Sequence, residues 1–501
     1  MTAVVAPHWS AHLAPGAEAD LGLGATLPGA WTARWAADPG AEVIATPAGR
    51  RITAAELEQL TAAAAGRYAA AGLAPGDRIM MSAGPSVELI VAYVAALRYG
   101  LTVVPANTAY TAVEMATIAA DARPKLAVVD DLGRAPGIPG TTPDLAGLPA
   151  PGATAGSVPL DRVAPTDPAL IVFTSGTTGR PKGAVLTHAN LLASAHAVRL
   201  AWRWTPEDRL ALSLPLFHVH GLGVGLHGTL VAGGSLLLIP RFEPAAIASA
   251  IEDDACTMFF GVPTMYHRLA ESPHLDALRR LRLAVSGSAP LPAALHDAVR
   301  ERTGQQILER YGMTETIMLV SNPYDGPRRP GTVGLPLPGV SVRLTPREGG
   351  VAEIEVTGPN VFGGYLDRPD ATAEAFTDDG WFRTGDLGVL DDDGYLRISG
   401  RAKELIITGG YNVYPREVED ALRGHPGVAD VAVAGRPSTE WGEMVVAYVV
   451  PADAVDTAVL ERDLTEWCAE RLASYKRPRA WRWIDSVPRN ALGKILRHEL
   501  P

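Results

Sequence analysis

Short apolar segments alternate with helical segments along the first three fifths of the chain. Thr53 and Glu56 have the spacing of a capping box, and an alanine-rich segment follows them as far as Gly72. The expected strands are residues 77–81, 125–129, 169–173, 235–239 and 283–285. Because strands separated by helices pair in parallel, this alternation restricts the chain to a layered α/β fold.

Beyond residue 350 the pattern changes to shorter strands and tight turns. Asp379 and Asp393 are each followed by glycine, a pair typical of β-hairpins, and strands are expected at 352–357 and 395–399. After Gly400 a helix is expected from Pro415, followed by strands at 428–433 and 444–450 and a further helix. These residues predict a small α+β domain of about 100 residues.

Charge and cysteine content exclude several classes of function. The 501 residues include 44 Lys plus Arg and 55 Asp plus Glu, a net charge of −11, so no basic field attracts nucleic acid or an anionic membrane. Cys256 and Cys468 lack the spacing of a disulfide framework or zinc site. Neither a leader nor a membrane span is evident, and a cytoplasmic location is expected.

A glycine-rich loop after the strand at 169–173 points to a polyphosphate ligand. Its glycines let the backbone approach an anion, while hydroxyls add donors and a lysine adds a mobile charge. No Gly-Lys-Ser/Thr ends the loop, which disfavours a Walker-type site, and the alternative is a flexible turn. The loop consists of Thr174, Ser175, Gly176, Thr177, Thr178, Gly179, Arg180, Pro181, Lys182 and Gly183.

This loop and five further motifs resemble the adenylate-forming enzymes, the family of acyl-CoA synthetases, luciferases and the adenylation domains of peptide synthetases. The further motifs follow in the family's order over nearly the whole chain. They are residues 311–315, 384–386, 400–403, 409–415 and 488–494. The resemblance implies an N-terminal domain, residues 1–402, with two αβ layered subdomains and a β-rich subdomain. It also implies a hinge at Lys403 and a small mobile α+β domain, residues 403–501.

The resemblance also implies how ATP is held. Glu315 would bind Mg²⁺, since this ion prefers one or two carboxylates plus phosphate oxygens, and Thr314 would touch the α-phosphate. Lys494 would bridge the acyl carboxylate and the ribose-phosphate oxygen while the adenylate forms. Tyr311 would stack on adenine, and Asp386 and Arg401 would contact the ribose hydroxyls. The remaining nucleotide residues are the loop residues Thr174 to Gly179 with Lys182, and Gly287, Ser288, Ala289, Glu309, Arg310, Gly312 and Met313.

Coenzyme A is the implied second substrate. Gly409 and Gly410, with Tyr411, would form the tunnel for its pantetheine arm once the small domain has rotated; a simple hairpin turn is the alternative. His218 is expected to gate the passage between acyl site and tunnel, although it could be a core histidine. His218 and His220 would share one face of a strand, with no third ligand for a metal.

The acyl group is predicted from Arg268, Ser288 and Met313. A guanidinium is costly to bury without an anion, so an arginine in the acyl pocket indicates an acid with a second carboxylate. The segment resembles malonyl-CoA synthetases, and malonate, with methylmalonate tolerated, is the expected substrate. The alternative for Arg268 is a solvent-facing position on an amphipathic helix.

Three other functions stay open at this stage. They are a short- or medium-chain monocarboxylate acyl-CoA synthetase, a freestanding adenylation domain that loads a carrier protein, and a non-catalytic nucleotide-binding relative. AMP release with and without coenzyme A would separate the last two from a ligase. No nucleic acid or membrane partner is expected, and the protein should be a monomer or homodimer.

Overall fold

The computed structural model describes residues 4–5, 9–150, 158–174, 181–346, 352–409, 411–452, 456–490 and 493–501. Four β-sheets organise these ranges, and helices cover the sheets that contain parallel strands. Among the described helices, none is long and apolar enough to cross a bilayer.

The largest sheet has nine strands, parallel in its centre and antiparallel at both edges. Its central strands are buried on both faces, which explains why they read as continuous apolar runs. In spatial order the strands are Leu335–Pro336, Val320–Ser321, Leu308–Tyr311, Leu283–Ser286, Met258–Gly261, Arg209–Leu212, Ser235–Leu238, Glu42–Ala45 and Arg51–Thr53.

A second, six-stranded sheet is parallel except for its last pair, which holds the ends of the glycine-rich loop. Thr174 lies opposite Lys182 in this antiparallel pair. In spatial order the strands are Gly140–Thr141, Leu126–Val129, Arg78–Ser82, Thr102–Pro105, Pro168–Thr174 and Lys182–Thr187.

The helices begin and end where local signals predict. Thr53 and Glu56 form the predicted capping box of the helix Ala54–Ala70, and Thr187 caps the helix that begins at His188. The helix that Thr187 caps is His188–Ala201. The other described α-helices are Leu27–Ala37, Val87–Tyr99, Ala112–Ala122, His227–Ala232, Pro244–Glu252, Pro263–Ala270, Ala293–Thr303, Pro369–Ala375, Pro415–Arg423 and Thr457–Arg471.

The third sheet is antiparallel and contains the predicted hairpin around Asp393. Gly394 has φ 83°, a left-handed conformation that a tight turn needs and glycine adopts without strain. Its strands, in spatial order, are Val4–Val5, Ser341–Pro346, Ala352–Thr357, Phe382–Leu390 and Leu396–Arg401.

The C-terminal residues form a separate α+β unit with its own core. Val418 and Leu422 of the helix Pro415–Arg423 pack with Val431 and Leu464 in a buried cluster. The sheet consists of Tyr411–Val413, Ile406–Thr408, Gly442–Pro451 and Val428–Ser438, with Ala480–Trp483 parallel to the third of these. The predicted fold class, a large α/β domain with a β-rich part and a small α+β domain, is confirmed.

Candidate active site

Two of the predicted nucleotide segments begin where parallel strands of the nine-stranded sheet end. Gly287 follows the strand Leu283–Ser286, and Gly312 follows the neighbouring strand Leu308–Tyr311. The carboxyl edge of a parallel sheet is the usual place for a ligand, because the loops that leave it form a crevice. Ser175 to Gly179 of the glycine-rich loop, and Gly410, lie outside the described residues.

Asp386 is the centre of a buried polar cluster. Its Oδ2 accepts a hydrogen bond from the Tyr311 hydroxyl at 2.5 Å, and its Oδ1 pairs with Arg401 Nε at 2.9 Å. Asp386 and Arg401 lie directly opposite each other in the antiparallel hairpin, so the strand register itself brings them together. Burial and the Asp386 carboxylate raise the pKa of Tyr311, which therefore remains a neutral donor. The predicted ribose contacts are thus neighbours.

Glu315 is buried, and Tyr365 connects it to the glycine-rich loop. The Tyr365 hydroxyl donates to Glu315 Oε1 at 3.0 Å, and the Lys182 ammonium lies 5.4 Å from the centre of the Tyr365 ring. Burial raises the pKa of Glu315, and a cation beside the carboxylate would relieve this cost. One buried carboxylate beside a phosphate-binding loop fits Mg²⁺, which takes its other ligands from phosphate and water. Tyr365 was not predicted, since nothing in its local sequence marks it.

Lys494 reaches the Asp386 cluster from the C-terminal unit. Gly493, with φ 78°, turns the chain against the helix Pro263–Ala270, where an added Cβ would lie 3.1 Å from Thr264 Cγ2. The Lys494 backbone N–H donates to Asn490 Oδ1 at 3.0 Å, which closes the turn. Burial, with a smaller effect of Arg401, lowers the pKa of Lys494 to about 8. The structure therefore brings the predicted lysine to the predicted ribose residues.

Arg310 lies on the other side of the Gly287 loop, beside two histidines. A Cβ added at Gly287 would lie 2.3 Å from Arg310 Cζ, so the guanidinium packs directly against this glycine. Arg310 is 5% exposed, and neither its Nε nor its Nη2 has a hydrogen-bond partner among the described residues. Burial lowers the pKa of this guanidinium, yet arginine keeps its proton at neutral pH. Arg310 is therefore a buried cation without an ionic partner in the part of the chain that the structure describes.

His218 and His220 lie in a turn and at the start of a π-helix, His220–Leu226, so the expectation that they share a strand is wrong. Gly221 allows this conformation, since a Cβ there would lie 2.3 Å from the Pro215 carbonyl oxygen. His220 Nδ1 is 3.1 Å from Ser288 Oγ. Burial and Arg310 lower the pKa of His218 to about 4 and that of His220 well below its usual value, so both rings are neutral.

Arg268 is not the buried guanidinium that the sequence suggested. Its side chain is 50% exposed, pairs with Glu243 at 2.9 Å and lies over the Phe242 ring. Tyr266 and Leu269 face the core from the same helix, which leaves Arg268 on the outer face. The expectation of a desolvated charge at this position is therefore wrong, and the side chain takes the solvent-facing alternative. An acyl role for Arg268 stays a prediction.

Glu309 and Met313 flank the same strand end. Glu309 is buried, accepts the Leu291 backbone N–H at 3.0 Å, and has its pKa raised to about 7 by burial. Met313 is half-buried against the main core, and its carbonyl accepts the Ile317 N–H at 2.7 Å. Their contacts with the nucleotide and the acyl group stay predictions.

Gly409 and Tyr411 lie away from this crevice, on an exposed hairpin of the C-terminal unit. Gly409 has φ 55°, and the Tyr411 ring stacks on Tyr475 with centroids 4.7 Å apart. Lys403 belongs to the short 3₁₀-helix Ala402–Glu404, which joins the β-rich sheet to this unit. The structure thus places the predicted tunnel residues and Lys494 on different parts of one unit.

Two family patterns match the chain. The pattern described as AMP-binding enzyme matches residues 31–366, and the one described as AMP-binding enzyme C-terminal domain matches residues 417–494. The first pattern alone spans more than half of the chain.

Named relatives agree with this match. The chain is 39% identical over 456 residues to the sulfoacetate–CoA ligase of Cupriavidus necator, which covers 86% of this chain and 89% of the relative. It is 40% identical over 366 residues to the malonate–CoA ligase of Arabidopsis thaliana, which covers 67% of this chain and 60% of the relative.

Solved structures extend the similarity to the whole fold. ATP-bound MatB from Rhodopseudomonas palustris is 40% identical, with a TM-score of 0.86 over 94% of this chain and 98% of that one. A malonyl-CoA ligase with methylmalonyl-CoA and AMP bound is 44% identical, with a TM-score of 0.67 over 90% and 97% of the two chains. The chain therefore belongs to the AMP-binding enzyme family and, within it, to the AMP-forming acyl-CoA ligases.

Proposed function

We propose that the protein ligates malonate, or a close analogue such as methylmalonate, to coenzyme A at the expense of ATP. The acid and ATP form an acyl-adenylate and pyrophosphate, and the coenzyme A thiol then displaces AMP. The observation that carries the choice of acid is Arg310, which the sequence predicted as a nucleotide residue. Its buried guanidinium lies beside the Gly287 loop and has no ionic partner among the described residues.

A buried cation favours an acyl group that carries its own anion. An unpaired ion in a protein interior costs several kcal/mol, and a carboxylate that docks against it by charge-assisted hydrogen bonds offsets much of this cost. A monocarboxylate with an apolar chain would leave Arg310 dehydrated and unpaired. Malonate presents one carboxylate to ATP and a second to Arg310, and its single intervening carbon suits a small site.

The tautomer of His218 also supports an acyl group that carries a second carboxylate. Its Nδ1 accepts the His220 backbone N–H at 3.2 Å, so the proton of the neutral ring sits on Nε2. The Nε2–H group is then a donor, while Arg310 supplies the positive charge next to it. We propose that His218 orients an acyl carboxylate in addition to its predicted role as a gate toward the tunnel.

The nucleotide side would work by positioning and charge. Asp386 accepts the ribose hydroxyls and Arg401 steadies it, while Lys494 donates to the acyl carboxylate and to the ribose-phosphate oxygen. Lys182 and the loop hold the outer phosphates, and Thr314 touches the α-phosphate. Glu315 would hold Mg²⁺, which when bound neutralises phosphate charge.

The coenzyme A step and the division of the chain remain parts of the proposal. Gly409, Gly410 and Tyr411 would line the pantetheine tunnel after rotation about Lys403, with domains at 1–402 and 403–501. We further propose a monomer or homodimer that acts in the cytoplasm.

The named relatives include ligases for acids with a second acidic group and ligases for acids without one. Malonate, sulfoacetate and oxalate ligases act on acids with a second acidic group, whereas feruloyl-CoA synthases do not. A sulfonate would also satisfy Arg310, which makes sulfoacetate the second candidate.

Coenzyme A-dependent AMP formation from malonate, methylmalonate, oxalate, sulfoacetate and butyrate tests the proposal. We expect malonate to have the highest kcat/KM and Arg310→Met to lower it by about 10²–10³, the equivalent of breaking a buried ion pair worth about 3–5 kcal/mol. Butyrate turnover should not fall in this variant, because butyrate has no distal charge to lose.

Arg268→Met is the matched control, since it removes an exposed guanidinium and should change malonate kinetics less than about threefold. If malonate activity is instead lost in Arg268→Met and kept in Arg310→Met, Arg268 is the residue that binds the second carboxylate of malonate. Preference for butyrate in the wild type would favour a monocarboxylate ligase. Adenylate formation without transfer to coenzyme A would instead favour a carrier-loading domain.

A further inference from the structure

Arg497 joins the segment that follows the catalytic lysine to the segment that follows the hinge. Its Nη1 pairs with Glu404 Oε2 at 2.9 Å, and its Nη2 pairs with Glu419 Oε1 at 2.6 Å. Its Nε donates to the Val433 carbonyl at 3.0 Å. All three guanidinium nitrogens are therefore used, and Glu419 also accepts the Val433 N–H.

Lys494, three residues before Arg497, is surrounded by charges of both signs. The groups that act on its ammonium are Asp386 and Glu404, which are anionic, and Arg401 and Lys403, which are cationic. No carboxylate oxygen of the described residues forms an ion pair with Lys494 Nζ, although two carboxylates are near. Asp386 is engaged by Arg401, and Glu404 is engaged by Arg497.

We propose that Arg497 is a positioning residue for adenylate formation, which holds the Glu404 carboxylate so that it does not capture the Lys494 ammonium. The inference rests on the proposed function, because it takes Lys494 as the cation that serves the reacting carboxylate and phosphate. An ammonium already paired within the protein would have to break that pair before it could bind substrate.

The geometry explains why one arginine suits this task. A guanidinium presents several donors in a fixed plane, so Arg497 can hold Glu404 while Glu419 and Val433 hold the guanidinium itself. The Glu404 side chain is 22% exposed and sits next to the hinge residue Lys403. Glu404 also acts electrostatically on Arg401, Lys403 and Lys494. Because Asp386 already holds Arg401, a Glu404 released by the loss of Arg497 would be left with the two lysines among these described cations.

Pyrophosphate exchange into ATP measures adenylate formation and tests the inference. We expect Arg497→Met to slow exchange by about tenfold to a hundredfold, and the double variant Arg497→Met with Glu404→Gln to recover most of the loss. Glu404→Gln alone should stay within about threefold of the wild type, and Arg497→Lys should retain much of the activity because it keeps a charge for Glu404. Thermal melting of each variant reports folding separately.

The pH profile supplies a readout that a purely structural role would not move. An ion pair between Glu404 and Lys494 favours the protonated lysine, so in Arg497→Met the rate of pyrophosphate exchange should decline at a higher pH than in the wild type. Adding Glu404→Gln should return this decline to the wild-type pH. Three outcomes would each overturn the inference. The first is an exchange rate in Arg497→Met equal to that of the wild type, and the second is a defect that Glu404→Gln does not relieve. The third is an alkaline decline of exchange at the same pH in Arg497→Met as in the wild type.

The acid used is whichever the wild type activates, so a failed malonate assignment leaves this test intact. Unchanged exchange in Lys494→Ala would overturn the role of the lysine in the proposed function, and this inference with it. Lost exchange in Lys494→Ala combined with normal exchange in Arg497→Met would overturn only the inference.

Discussion

The surroundings of Lys494 determine the pKa of its ammonium group. A solvated lysine near a chain end titrates near pH 10.4, whereas burial and the neighbouring Arg401 lower the pKa of Lys494 to about 8. Glu404 and Asp386 act in the opposite direction but are already paired with arginines. The lysine is therefore charged at neutral pH, yet close to losing its proton.

Adenylate formation should decline as pH rises through about 8. A lowered pKa means that the ammonium is present below this pH and lost above it, and only the charged form can serve the carboxylate and phosphate. Pyrophosphate exchange measured across the neutral and alkaline range gives the profile. Lys494→Arg is the control, since its charge persists and its residual activity should lack this limb. A wild-type profile that is flat up to about pH 10 would contradict the assignment.

At the scale of the element, the π-helix His220–Leu226 positions the two histidines. It is rich in glycine, and each glycine meets a different neighbour. A Cβ at Gly221 would lie 2.3 Å from the Pro215 carbonyl oxygen, whereas one at Gly223 would lie 3.3 Å from Ile317 Cγ2. Backbone cannot yield as the end of a side chain can, so Gly221 is the residue that this turn requires.

Gly221→Ala should lower the free energy of unfolding by about 1–3 kcal/mol, the range for overpacking, and should also impair adenylate formation. Gly223→Ala is the matched control and should cost less than about 1 kcal/mol, because the Ile317 methyl can shift. Denaturant unfolding of both variants measures the difference. Equal losses would mean that the path of the π-helix does not depend on the Pro215 contact.

At the scale of the whole molecule, the C-terminal unit carries the residues of two proposed functional surfaces. Lys494 lies at the Asp386 cluster, while Gly409 lies on an exposed hairpin with no part in that cluster. We propose that a second arrangement of this unit brings Gly409 to the site for the thioester step.

Lys494→Ala should abolish adenylate formation and largely spare thioester formation from a supplied acyl-adenylate. Gly409→Leu should do the opposite, because a branched side chain would obstruct the pantetheine path. Separate assays of the two half-reactions make the comparison, and equal losses in both assays for Lys494→Ala would contradict a two-arrangement cycle.

Gly409→Leu also places a side chain at φ 55° and 3.0 Å from the Trp441 ring, so conformational strain needs its own control. Gly380→Leu introduces a side chain at φ 82° in open space on the β-rich part. It should leave both half-reactions unchanged. Normal coenzyme A kinetics in Gly409→Leu would remove Gly409 from the tunnel.

The sequence alone was sufficient for the elements and for contacts between near neighbours in the chain. Apolar periodicity, the Thr53 capping box and the Asp393 turn predicted strands and helices within a few residues, because these signals act over one turn or one strand. Asp386 and Arg401 were each predicted as ribose contacts, and the hairpin that brings them together is itself a local structure.

Only the tertiary structure decided which charges are buried and what they face. Arg268 pairs with Glu243 at the surface, whereas Arg310 is buried against Gly287 with no ionic partner among the described residues. Tyr365 reaches Glu315 from 50 residues away, and Arg497 reaches Glu404 from 93. Desolvation and ion pairing depend on such distant neighbours, and no local pattern in the sequence encodes them.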